Sequence, residues 1–248
     1  MKQKSSLFTT VLFVATACVT LLVSSSPSHA DDLSDDFDEK SSLQQWTVLK
    51  SSSNENLHQD LSLGSSREGW LTIRPRANHA WYNDGMGPML YKMVEGDFMV
   101  ETNVVTHRPG SRNQAPNAHY NSAGLIVRDP ASSYGQQNWV VVNVGRQDPF
   151  TGSEIKTTVN SRSHLELQPG NHSGKVRLAR IGSTIYGLRK LNGESEWTLI
   201  RTFDRNDLPS RVQVGLMCNG WTGNADLVAE YDYVRFSVPE SADDLTKD

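Results

Sequence analysis

The chain has 248 residues, with 24 basic and 28 acidic side chains, a formal net charge of −4, and two cysteines. Such a balance carries no basic nucleic-acid footprint, so a nucleic-acid partner is not expected. Only Cys218 lies beyond the leader described next, which excludes an internal disulfide and leaves stability to the core.

Residues 1–30 read as a secretory signal peptide. Lys2 and Lys4 form a positive start, Leu7 to Val23 an apolar run, and Ser28-His29-Ala30 places small residues where a signal peptidase reads. An uncleaved anchor is the alternative, since the run is near the lower limit for a spanning helix. Cys18 after Ala15-Thr16-Ala17 loosely resembles a lipidation site but lacks the leucine and sits inside the apolar run. Cleavage leaves 218 residues with 22 basic and 28 acidic side chains and no transmembrane segment. That length suits one all-β domain over residues 31–248, secreted or held in the periplasm or cell envelope.

Residues 31–34 and 240–248 read as short, frayed acidic tails. Between them strand signals recur, with turn residues at each gap. Gly69 to Arg74 alternates Trp70, Thr72 and Arg74 against Leu71 and Ile73. Met89 to Val94 is a second strand, and Asp97 to Thr106 a longer one that puts Phe98, Val100, Thr102 and Val104 on one face. His107 to Tyr120 is too polar for core and too long for a tight turn, which is where loops border ligand sites. Gly124 to Gly145 places two apolar strands around a polar loop. Lys175 to Ile181, Thr184 to Leu191 and Glu196 to Phe203 form an antiparallel meander, with Asn192-Gly193 as a two-residue turn. Arg211 to Cys218 faces Val212, Val214, Leu216 and Cys218 inward. A last strand spans about 225–238. The reading is about 12–14 strands with no interior helix: two antiparallel sheets packed face to face.

The ends of the chain carry a resemblance. Asp36-Phe37-Asp38 with Trp46, and Tyr231 to Phe236, are similar to the opening and closing strands of concanavalin A-like jelly rolls. Trp81 ahead of Gly87 to Tyr91, Glu95 to Phe98, Ala123 to Asp129, Trp139, the Arg177 to Tyr186 hairpin and Val212 to Leu216 resemble the DUF1349 group of that superfamily. The likeness spans about residues 35–238. It implies a two-sheet jelly roll with one concave face. Related modules often accompany glycoside hydrolases or bind sugars, but the group has no general assigned activity.

Glycoside hydrolysis needs two carboxylates roughly 5–10 Å apart. Glu230-Tyr231-Asp232 begins an acidic strand pattern, but Arg235 stands where its third acid belongs. The histidines beyond residue 30 are His58, His79, His107, His119, His164 and His172, with no pair at zinc spacing. Calcium takes carboxylates and carbonyls, and Asp36, Asp38 and Asp232 form a candidate structural calcium site where the first and last strands meet. The other reading of these acids is a solvated edge. No serine or cysteine stands beside a base.

Aromatic platforms next to hydrogen-bonding residues suit sugars, whose rings have flat apolar faces rimmed by hydroxyls. Trp46, Trp70 and Trp197 sit in alternating strand positions and read as core. Trp81 and Tyr82 lie in Asn78 to Asp84, Trp139 follows Asn138 at a strand entrance, and Trp221 lies in Asn219 to Asn224. The candidate ligand-binding set is Trp81, Tyr82, Arg128, Asn138 and Trp139, with Trp221 at the rim. For the aromatics the competing reading is edge packing, and for Arg128 a surface pair with Asp129. The expected function is non-catalytic binding of an oligo- or polysaccharide. The alternatives are a glycoside hydrolase or lyase, and a structural or protein-interaction module of the envelope.

Overall fold

The computed structural model describes residues 33–223 and 225–248; the leader expected at 1–30 lies outside them. Two seven-stranded sheets face each other, every pairing antiparallel. Strands are numbered in chain order. The first sheet runs β1 (Thr47–Val48), β4 (Met89–Glu95), β13 (Arg211–Gly220), β6 (Asn121–Arg128), β7 (Trp139–Arg146), β8 (Thr151–Val159) and β9 (Arg162–Pro169). The second runs β12 (Thr198–Asp204), β11 (Thr184–Leu191), β10 (Ser173–Ile181), β5 (Phe98–His107), β14 (Val228–Ser237), β3 (Leu71–Pro75) and β2 (His58–Leu63). The described helical turns are 3-10, such as Ser42–Gln45 and Ala242–Thr246. No described helix is long and apolar enough to cross a membrane.

The main core follows the predicted alternation. Phe98, Val100 and Val104 of β5 meet Val212, Val214, Leu216 and Cys218 of β13, with Leu125 and Val142 beside them. Trp46 and Trp70 are buried as expected, although each lies just ahead of a strand, β1 and β3, and not within one. The near-continuous apolar runs of β6 and β7 have a separate cause: both faces are buried, as in the central strands of layered sheets. On the outer face of the first sheet, Met89, Ile126, Val141 and Met217 carry Trp81 and Trp139. The segment between β3 and β4 lies across that face. Gly87 permits the approach, since a Cβ there would sit 2.2 Å from the Cys218 carbonyl oxygen.

Two expectations need correction. The β11–β12 connection is Asn192 to Trp197, longer than the two-residue turn that Asn192-Gly193 suggested. Only Gly193 takes positive φ, at 97°, and Glu194 N–H closes the turn on the Leu191 carbonyl. The C-terminal segment is docked, not frayed. Leu245 is buried with Ala179, Leu188 and Trp197 on the outer face of the second sheet. Arg177 stacks on Trp197 at 3.9 Å and donates to the Leu245 and Lys247 carbonyls at 2.6 and 3.0 Å. Trp197 Nε1 donates to Asp248 at 3.2 Å. An apolar outer face needs a cover, and this tail supplies it.

Candidate functional site

On the outer face of the first sheet a hollow of about 260 Å³ is lined by Trp81, Tyr82, Tyr120, Lys156, Leu165, Asn219 and Trp221, with Ala80. This is slightly below the ~300–1,000 Å³ of typical small-molecule clefts. Its rim is aromatic. Tyr82 is 38% and Trp221 47% exposed, and their rings meet edge to face at 5.6 Å and 77°. Tyr120 enters from the β5–β6 loop with φ at 52°, left-handed backbone rare for a bulky residue. Burial, then Asp148, Glu154 and Tyr82, raise the Tyr120 phenol above its ordinary pKa.

Lys156 and Asn219 are the polar side chains of the floor, and a buried hydrogen-bonded row stands behind them. Glu154 and Lys156, two apart on β8, point to the same side of the sheet. Lys156 Nζ donates to the Trp81 carbonyl and lies 2.8 Å from Glu154 Oε1, both at the same distance. Asn143 Nδ2 donates to that carboxylate oxygen at 3.0 Å, and Gln147 Nε2 donates to Asn143 Oδ1 at 3.0 Å. Asn219 accepts from the Trp81 backbone N–H at 2.8 Å and donates to Ser122 Oγ at 3.0 Å. The row thus fixes the backbone of Trp81 while holding the floor rigid.

The structure divides the sequence-derived candidates. Tyr82 and Trp221 stand at the hollow as expected. Trp81 lines it from below but is 0% exposed, and Trp139 is 0% exposed beneath it, the two rings edge to face at 5.7 Å. Neither offers an open stacking face, which corrects that expectation: polar neighbours in sequence do not expose a ring that the tertiary fold lays on a sheet. Arg128, only 4% exposed, is also withdrawn as a ligand donor. It donates to Gln213 Oε1 at 2.7 Å and the Ser132 carbonyl at 2.8 Å, and burial lowers its pKa despite Asp129. Its task is to fasten the β6–β7 loop. Asn138 braces the same end, its Oδ1 accepting from Asn160 N–H at 2.8 Å.

The sequence reading missed Tyr120, Lys156, Glu154, Asn143 and Asn219. The Glu-x-Lys spacing in Ser153 to Thr158 was a usable signal for two charged groups on one strand face. The polar loop singled out as a site border does deliver Tyr120. It is pinned by Arg112 to Glu230 at 2.7 Å and by Asn117 N–H to Asp226 at 2.7 Å.

Asp36, Asp38 and Asp232 line one surface depression with Glu68 and Arg235. Arg235 pairs with Asp36. Among the described residues no three His, Cys, Asp or Glu side chains group to hold a metal ion. Glu230, which begins the broken acidic pattern, is sealed on the second sheet and paired with Arg112.

No protein-family model matches the chain, and no curated protein sequence does. Solved structures are similar in fold. A functionally unknown protein from Saccharomyces cerevisiae has a TM-score of 0.62 at 15% identity, over 80% of this chain and 99% of that one. A xylan beta-1,4-xylosidase from Bacillus halodurans has a TM-score of 0.62 at 17% identity, over 82% of this chain but only 38% of that enzyme. Winged bean acidic lectin complexed with methyl-α-D-galactose has a TM-score of 0.51 at 14% identity, over 84% of this chain and 99% of the lectin. The chain has the two-sheet jelly-roll sandwich fold that these likenesses share.

Proposed function

We propose that the protein is an exported, non-catalytic sugar-binding module of the DUF1349 kind, using the hollow at Tyr82, Tyr120 and Trp221. The observation that carries this is the pair of exposed rings, Tyr82 and Trp221, side by side at the mouth of a hollow with a polar floor. Large exposed aromatics are costly unless they meet a partner. Here they would stack on the C–H faces of a sugar ring while phenol, indole and ammonium groups meet its hydroxyls. A volume of about 260 Å³ suits one or two sugar units more than a long chain. The likeness to a lectin and to a xylosidase adds weight without naming the sugar. A non-catalytic role is favoured because the acidic strand pattern leads to a sealed Glu230, and Glu154, the carboxylate behind the hollow, is fully buried and paired with Lys156.

Glycan-array screening followed by calorimetry tests the reading. The native chain should bind at least one glycan class, and Trp221→Ala should weaken that binding severalfold while melting unchanged. Silence across neutral and acidic glycans would refute it. Sugar release from a polysaccharide panel would replace binding alone with catalysis.

A further inference from the structure

Resting on that reading of the hollow, we infer that the site selects uncharged sugars and rejects uronates and sulfated sugars, because its one lining cation is already neutralised by a buried carboxylate and a second carboxylate stands beside its Tyr120 wall. Lys156 is the charged side chain among the described lining residues. Two of its three protons are committed, to Trp81 O and to Glu154 Oε1, each at 2.8 Å. A second carboxylate brought by a ligand would therefore meet a neutral pair, not a free ammonium.

The buried row behind Lys156 points the same way. Gln147 donates to Asn143 and Asn143 to Glu154, which holds that carboxylate in place as the partner of Lys156. Asp148, half-exposed and 3.3 Å from His119, stands on the Tyr120 side, and both Asp148 and Glu154 act electrostatically on the Tyr120 phenol. The wall thus senses two carboxylates. Arg128, the guanidinium of the candidate ligand-binding set, is sealed and spent on Gln213 and Ser132.

The test is calorimetry with matched probes at low ionic strength: galactose against galacturonate oligomers, and glucose against glucuronate oligomers, of equal length. In the native chain a neutral member should bind and its uronate should bind about tenfold more weakly or worse, the direction like-charge juxtaposition imposes. Glu154→Gln removes a negative charge and leaves Lys156 uncompensated, so the neutral-to-uronate ratio should fall. Asp148→Asn, at a half-exposed position where folding is not at stake, should lower the ratio by less. A uronate that binds the native chain as tightly as its neutral partner overturns the inference while leaving the sugar site standing. So does a ratio that neither variant moves. If none of the four probes and no arrayed glycan binds, the sugar site itself is refuted.

Discussion

Six aromatic or polar residues looked alike in sequence but separate into two physical groups. Tyr82 and Trp221 keep their faces in solvent, whereas Trp81, Trp139, Arg128 and Asn138 hold the outer layer and its loops together. Substitution should separate them. Tyr82→Ala and Trp221→Ala should each weaken sugar binding by roughly 1 kcal/mol, the scale of one aromatic contact, with little change in melting temperature. Trp139→Ala should instead cost about 3–5 kcal/mol of stability, because a buried indole leaves a cavity. Paired calorimetry and denaturant titration read both effects; loss of binding in Trp139→Ala with full stability would reverse the assignment.

At the scale of elements, two segments that read as loose in sequence are tied down. The β5–β6 loop, which carries Tyr120, is clamped through Glu230. Burial works against ionising Glu230, but His107 at 3.4 Å, the Arg112 hydrogen bond and the neighbouring Ser66 outweigh it and bring its pKa to about 2, against 4.5 for an ordinary glutamate. A depressed carboxyl contributes stability that is full above the unfolded value and is lost as pH falls. The melting temperature should therefore drop between about pH 4.5 and 2, and Glu230→Gln should flatten that slope. An unchanged slope in the variant would show that the clamp lies elsewhere. The C-terminal segment is the second case. Removing residues 240–248 uncovers Trp197, Ala179 and Leu188 and deletes Leu245, so stability should fall by about 2 kcal/mol or more. A truncated chain that melts with the full one would mean that the docking contributes nothing.

For the whole molecule, most stability resides in the double-sided burial of β6 and β7 and in the core between the sheets. Amides at the centres of β5, β6, β7 and β13 should exchange with deuterium only through global opening, and those of the edge strands β9 and β12 much sooner. Peptide-level exchange would expose the opposite order if the sandwich were held at its edges. The architecture was legible because period-two alternation survives in β5, which has one dry face, so that Phe98, Val100 and Val104 name their own inner side; β13 keeps it although both its faces are buried, because Gln213 and Gly215 separate Val212, Val214 and Leu216. The second apolar layer was not legible. A strand buried on both faces loses alternation, and Ile126, Val141 and Met217 carry no mark of the loop that covers them.

What the amino-acid order settled alone is therefore the local and the periodic: strands, their inner faces, and the all-β sandwich they require. Pleating fixes side-chain direction residue by residue, so neighbours in sequence suffice to read it. Which indoles are open, which arginine is spent and where the site lies came only from the assembled sheets. Trp81 meets Asn219 and Lys156 across 138 and 75 positions of chain. Burial and hydrogen-bond partnership at such separations are properties of packing, and no local pattern encodes them.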